Sequence, residues 1–88
     1  MTREQISNYI GELLGDEGDG ILLADGLDDA FIGIDISEAE YPRAVYSIEK
    51  CIAVFAKDMG QEEADEYFWY NTAGAHMGPQ TPIYIHTP

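Results

Sequence analysis

Basic side chains are scarce in this chain, and their scarcity limits its partners. There are four Lys and Arg against 17 Asp and Glu, which gives a formal net charge of −13 over 88 residues, and no Lys or Arg follows Lys57. Binding to nucleic-acid phosphates depends on Lys and Arg, and so does attraction to an anionic membrane. The composition therefore argues against nucleic acid and membranes as direct partners.

Cysteine and long apolar runs are nearly absent as well. Cys51 is the only cysteine, which excludes an intrachain disulfide, whereas small secreted domains usually depend on several. No apolar run follows the first residues, so they do not resemble a signal peptide, and no run approaches the ~20 residues of a membrane helix. We expect a cytoplasmic protein in which Cys51, at helical spacing from Ile48 and Phe55, is a buried thiol.

The chain nevertheless has enough apolar residues for a core. The apolar fraction is 45%, which is too high for a disordered acidic tail, and the length allows one small domain over residues 1–88. Thr2 and Gln5 form a capping-box pattern ahead of apolar residues at helical spacing. This pattern predicts a first helix that ends at Gly15.

Four short segments have the character of strands, at residues 21–24, 30–36, 44–46 and 81–86. In the second of them, strict alternation places Ile32 and Ile34 on the face opposite to Phe31. Further helices are predicted to begin after Ser47 and at Gln61, and Trp69 and Tyr70 lie off the apolar stripe of the last helix.

The resulting order, α-β-β-β-α-α-β, predicts an α+β fold. We expect a small antiparallel sheet of three to four strands with the helices packed on one face. Pro82 fits the start of an edge strand. Such an edge could pair with a second copy of the chain in a homodimer.

Three blocks of the sequence resemble small proteins encoded by bacteriophages and prophages. They are residues 21–33, residues 44–50, and a C-terminal signature that reads Tyr67-Phe68, Asn71, Gly74-Ala75, Gly78 and Thr81-Pro82. The blocks occur in the same order as in that family, over about residues 20–86, although His76 replaces a common aromatic residue and Pro79 a small acid. The resemblance implies a phage or mobile-element origin. It implies no activity, so no catalytic residue is carried over.

No arrangement of residues in the sequence is typical of an enzyme, a metal site or a cofactor site. The acids of residues 16–20 and 25–29 lack the pattern of a calcium-binding loop, no His or Cys has zinc spacing, and no Lys-Ser/Thr follows the glycines. Ordinary alternation makes Asp35, in the middle of a strand, an outward-facing residue. We predict a protein that is not an enzyme and has no cofactor, with a metal-dependent activity at the 25–29 turn as an open alternative.

The acids form two clusters, one in the N-terminal half and one at residues 62–66. Carboxylates on a rigid surface can imitate duplex phosphates and compete for the basic channel of a nucleic-acid-binding enzyme, and Trp and Tyr are typical interface anchors. We therefore predict a phage-encoded acidic protein that inhibits or modulates a host protein, of the anti-defence or anti-CRISPR type. The predicted binding residues are Asp16, Glu17, Asp19, Asp25, Asp28, Asp29, Glu62, Glu63, Asp65, Glu66, Trp69 and Tyr70.

Two other functions fit the same sequence. The Gly-rich loop of residues 74–81 would suit a small-molecule or nucleotide-binding module. The protein could also have a structural or accessory role, in which the acids only keep it soluble or reflect a halophilic host. Binding that weakens as salt rises would separate mimicry from mere solubility.

Overall fold

The first helix forms where its capping box predicts it. The structure is a computed structural model that describes all residues from 1 to 88, and α1 spans Arg3–Leu14. The Thr2 hydroxyl accepts a hydrogen bond from the Gln5 N–H at 3.1 Å, and the Gln5 side chain accepts one from the Thr2 N–H at 2.9 Å. Gly15 ends the helix with a φ of +56°, which glycine adopts without strain.

The strand predicted at residues 21–24 does not form. Two 3₁₀ turns, Gly15–Gly18 and Asp28–Ala30, are joined here by an irregular segment. Within it, the Ala24 N–H donates to the hydroxyl of Tyr46 at 2.9 Å instead of to a neighbouring strand. The prediction was wrong because a short apolar run is equally typical of a segment that packs on the core without a strand partner.

Three strands form the sheet, in the order β1-β2-β3, where β1 is Phe31–Asp35, β2 is Arg43–Ser47 and β3 is Ile83–Ile85. The α+β class is confirmed, but the sheet is mixed, because β1 pairs with β2 antiparallel and β3 pairs with β2 in parallel. The helical connection between β2 and β3 is a crossover, which returns the chain to the end of the sheet where β2 starts. β3 lies at an edge, and pairing of that edge in a homodimer stays a prediction.

A bulge in β1 changes the faces that strict alternation predicts. Phe31 and Gly33 stand opposite Tyr46 and Val45, which are adjacent in β2, so Ile32 is an inserted residue. Phe31 is 7% exposed and Ile32 is 39% exposed, so these two lie on opposite faces as predicted, but Ile34, predicted to face away from Phe31, packs against the same core cluster. The predicted alternation was wrong at this point because one inserted residue shifts the phase of all that follow.

Two helices and a π-helical segment connect β2 to β3. Helix α2 spans Ile48–Phe55, and it begins as predicted at Ser47, whose hydroxyl accepts a hydrogen bond from the Lys50 N–H at 3.2 Å. Helix α3 spans Gln61–Tyr67 and is followed directly by the π-helical segment Phe68–Thr72. Such segments are rare and occur frequently at functional sites.

The core lies between the helices and one face of the sheet. Tyr46 and Phe68 are fully buried there, and Tyr46 packs edge-on against Phe31 with ring centroids 5.8 Å apart. On the same face, Tyr84 of β3 contacts Phe68 edge-on at 5.4 Å. The 13 buried apolar residues form one cluster, to which the sheet and all three helices contribute. None of the helices has both the length and the apolar character needed to cross a bilayer.

Candidate functional site

Three of the predicted acids, Asp25, Asp28 and Asp29, belong to a network of ion pairs. Arg3 Nη2 lies 3.1 Å from Asp28 Oδ1, and Arg3 Nε donates to Asp28 Oδ2 at 3.4 Å. Asp25 lies 3.8 Å from the same guanidinium, and Asp29 lies 3.9 Å from the Lys57 ammonium. Two of the four Lys and Arg of the chain are therefore held at this turn, where they offset most of its negative charge.

The same turn does not gather ligands for a metal ion. Asp28 faces Arg3, and its carboxylate is the most closely paired of the turn. No three His, Cys, Asp or Glu side chains of the protein lie close enough together to hold a metal ion. The metal-dependent activity left open for this turn thus has no supporting geometry.

The N-terminal acids Asp16, Glu17 and Asp19 are exposed and form no ion pair. They lie in and just after the 3₁₀ turn that packs on α1. Gly18 of this turn is buried, and a Cβ there would overlap the side chain of Ile10. The turn is thus fixed on α1, whereas α3 packs mainly against α2 and the π-helical segment that follows it.

The four acids of α3 are exposed and unpaired. Ala64 is the residue of this helix that is buried in the core. The four acids of the helix lie at the surface, namely Glu62, Glu63, Asp65 and Glu66. None of them lies within ion-pair distance of a Lys, Arg or His. Glu62 and Glu63 lie in the first turn, where the helix dipole favours negative charge. Asp65 and Glu66 lie beyond that turn, so helix stability does not explain the cluster.

Two large aromatic side chains stand beside these acids. Phe68 is fully buried, while the following residues Trp69 and Tyr70 are 48% and 89% exposed. The Trp69 ring packs edge-on against Phe68 with ring centroids 5.0 Å apart. Asp65 precedes Trp69 by four residues and Glu66 precedes Tyr70 by four, a spacing that makes neighbours on a helix surface. The acidic–aromatic surface, as we call it, consists of Glu62, Glu63, Asp65, Glu66, Trp69 and Tyr70.

A cavity of about 210 Å³, which sequence reasoning missed, opens next to this surface. The rings of Phe55, Tyr67 and Tyr84 line it, together with Met77 and Asp25. Phe55 and Tyr67 meet edge-on with ring centroids 4.8 Å apart, and burial raises the pKa of Tyr84 to about 12, so its hydroxyl stays neutral near pH 7. No local pattern could have revealed the cavity, because its walls come from residues far apart in the chain.

The Gly-rich loop of residues 74–81 is organised by Thr81. The buried Thr81 hydroxyl accepts a hydrogen bond from the Met77 N–H at 2.6 Å and donates to the Gly78 carbonyl at 2.8 Å. Gly78 has a φ of +112°, which favours glycine. No Lys or Arg belongs to the loop, and nearby Arg43 donates to the Thr81 carbonyl at 2.6 Å. The loop therefore offers no free cation for a nucleotide phosphate.

A cluster of hydrogen bonds that the sequence analysis did not predict joins the residues after β3 to the start of α2. His86 Nδ1 lies 2.7 Å from Glu49 Oε2, and the Thr87 N–H donates to Glu49 Oε1 at 2.6 Å. The Ser47 and Thr87 hydroxyls share a hydrogen bond at 2.6 Å. The hydrogen bond with His86, followed by that from Thr87, lowers the pKa of Glu49 from 4.5 to about 2. These contacts hold the residues after β3 against the start of α2.

Cys51 and Asp35, two other candidates for chemistry, have ordinary structural environments. Cys51 is fully buried, and burial raises its pKa to about 12, so no thiolate forms near neutral pH. Asp35 accepts hydrogen bonds from the Ser37 hydroxyl at 2.6 Å and the Ser37 N–H at 3.0 Å, and these lower the pKa of Asp35. A covered catalytic carboxylate would have a raised pKa instead.

No protein family, no curated protein and no solved structure matches this chain.

Proposed function

We propose that this protein binds another protein through the acidic–aromatic surface and thereby inhibits or modulates it. The observation that carries the proposal is the exposure of four unpaired carboxylates of α3 beside Trp69 and Tyr70. Trp and Tyr are the residues most enriched among binding hot spots. The unpaired carboxylates would attract a partner surface rich in Lys and Arg and accelerate association.

The spacing of the α3 charges supports imitation of a nucleic-acid backbone. An α-helix rises about 1.5 Å per residue, so the four charges between Glu62 and Glu66 occupy about 6 Å of helix axis. Duplex DNA carries one charge per about 1.7 Å of its axis, which is a similar linear density. A channel of Lys and Arg that binds phosphates would therefore also attract this surface.

The class of partner that we propose is a host nucleic-acid-binding enzyme. The resemblance to bacteriophage and prophage proteins supports this choice, because a phage benefits from blocking a host nuclease or a CRISPR effector. The proposed encounter takes place in the cytoplasm of the host. The chain itself, at a net charge of −13, would bind the enzyme and not its nucleic acid.

Solubility alone accounts less well for this surface. A high net charge does keep a small protein soluble, but solubility requires no particular place for the charge. Exposed Trp69 and Tyr70 work against solubility, since exposed large aromatic residues promote association. Their position beside the unpaired acids of α3 favours a binding surface.

The proposal is tested by affinity purification of the tagged protein from an infected or lysogenic host, with mass spectrometry of the retained proteins. One variant neutralises α3 with Glu62→Gln, Glu63→Gln, Asp65→Asn and Glu66→Gln. A matched control removes four exposed acids elsewhere with Glu4→Gln, Glu12→Gln, Glu38→Gln and Glu40→Gln. We expect the wild type and the control to retain a partner that rising salt releases, and the α3 variant to lose it. Equal retention by all three proteins, or retention that high salt leaves unchanged, would contradict the proposal.

The remaining parts of the predicted site need separate variants. Trp69→Ala should weaken binding of the partner by about 2 kcal/mol, as expected for a hot-spot anchor. Tyr41 is 40% exposed in a different part of the fold, so Tyr41→Ala should leave binding unchanged. A Trp69→Ala protein that retains the partner like wild type would remove Trp69 from the interface. The role of the N-terminal acids stays a prediction, and Asp16→Asn, Glu17→Gln and Asp19→Asn together test it.

A further inference from the structure

We propose that the cavity beside the acidic–aromatic surface binds the guanidinium group of an arginine side chain of the partner protein. This inference rests on the proposed function, which supplies a partner rich in Lys and Arg. It adds which side chain of the partner binds in the cavity. The cavity lies next to Tyr67 and Asn71, on the same helical stretch that carries the acidic–aromatic surface. One basic partner surface could therefore reach both.

The walls of the cavity suit a cation that can also stack on aromatic rings. Phe55, Tyr67 and Tyr84 contribute three rings, and Met77 adds a polarisable thioether. The face of an aromatic ring carries partial negative charge and attracts a cation placed over it, and arginine is the side chain most often found there.

Asp25 supplies a charged acceptor at the rim of the same cavity. Its side chain is fully exposed, at 105% relative accessibility, and it lies 3.8 Å from Arg3 Nη2. Arg3 makes its closer contact with Asp28 at 3.1 Å, so the Asp25 carboxylate is accessible to a second cation. A guanidinium binds a carboxylate through two parallel N–H bonds.

The size and the other polar groups favour arginine over lysine. A cavity of about 150 Å³ holds a benzene ring, so 210 Å³ accommodates one planar guanidinium with the end of its alkyl chain. Asn71, which lines the cavity, donates its amide N–H to the Tyr67 carbonyl at 3.3 Å, and its side-chain oxygen accepts no hydrogen bond from the protein. The five N–H donors of a guanidinium can use these acceptors, whereas an ammonium is more strongly hydrated and does not stack.

Binding is tested by an NMR titration of the full chain with N-acetyl-arginine amide. The comparison compounds are N-acetyl-citrulline amide, which has nearly the same shape without the charge, and N-acetyl-lysine amide, which has the charge without the planar group. We expect the arginine compound to shift the ring signals of Phe55, Tyr67 and Tyr84, and the other two to shift them far less. Asp25→Asn should weaken arginine binding about three- to fivefold, because it removes a solvent-exposed ion pair. Glu12→Gln, an exposed acid on α1, removes the same charge and should change it less than about twofold.

Several results would overturn the inference. They are equal shifts with citrulline or lysine, shifts outside the cavity, equal effects of Asp25→Asn and Glu12→Gln, and no shifts with arginine. The outcome is independent of the partner. A partner whose retention depends on the α3 acids while arginine fails to enter the cavity would refute this inference and leave the proposed function intact. Conversely, if arginine binds in the cavity but the protein retains no partner, the proposed function is refuted and the cavity is still shown to bind a guanidinium.

Discussion

The hydroxyl of Tyr46 accepts a hydrogen bond from the backbone N–H of Ala24 at 2.9 Å inside the core. Tyr46 is completely buried and lies on β2, the central strand, whose two sides are occupied by β1 and β3. Ala24 therefore cannot pair with the backbone of β2, and a side chain satisfies its N–H instead. This bond fixes the irregular segment that leads into the 25–29 turn.

Removing the Tyr46 hydroxyl should destabilise the fold. Tyr46→Phe leaves the Ala24 N–H buried without an acceptor, so we expect the free energy of unfolding to fall by about 1–3 kcal/mol. Denaturant titration measures the change. The control Tyr70→Phe removes a hydroxyl from a side chain that is 89% exposed and should stay within about 0.5 kcal/mol of wild type. A loss for Tyr46→Phe no larger than the control's would show that this bond does not stabilise the segment.

Arg3 should stabilise the protein mainly through Asp28. Asp28 Oδ1 is buried and makes no hydrogen bond, so the Arg3 guanidinium 3.1 Å away is its charge partner. Because Arg3 is itself 43% exposed and screened by solvent, Arg3→Met should cost about 1–2 kcal/mol. Adding Asp28→Asn should recover part of that loss, since no unpaired charge then remains buried. Strictly additive losses in denaturation experiments would exclude a coupled pair.

The Gly-rich loop should depend on one hydroxyl. Thr81→Val keeps the shape of the side chain but removes the acceptor for the Met77 N–H and the donor to the Gly78 carbonyl. We expect a loss of about 1–3 kcal/mol in unfolding free energy, together with faster amide exchange at Met77. Thr72→Val, which changes a half-buried threonine with no such bonds, is the matched control. Wild-type exchange at Met77 in Thr81→Val would contradict this role.

Acid should loosen the contact between the C-terminus and α2. The pKa of Glu49 is about 2 in the folded protein and 4.5 as its ordinary value, so the unfolded state takes up the proton at a higher pH. The stabilisation is therefore complete above about pH 4.5 and is lost as the pH falls towards 2. Glu49→Gln should melt at a lower temperature than wild type at pH 7, and the two curves should converge near pH 2. Glu12→Gln is the charge control, and an equal convergence in that protein would argue against a specific role for Glu49.

Short-range patterns predicted the helices well because the signals that start a helix lie within one turn of it. The capping residues Thr2 and Ser47 stand where the sequence placed them. Trp69 was singled out by its position off the apolar stripe, and it is half exposed. Local reasoning failed in β1, since the bulge at Ile32 depends on how the strand pairs and not on its own residues.

By itself, the sequence determined the excess of acid, the buried thiol at Cys51 and the α+β class, because composition and apolar periodicity state which residues avoid water. Only the tertiary structure decided which acids are free. It brings Arg3 and Lys57 to the 25–29 turn and leaves the acids of α3 unpaired beside Trp69. It also assembles the cavity from distant segments. Ion pairs and cavities join residues that are far apart in the chain, so they exist only once the order and direction of the strands are set.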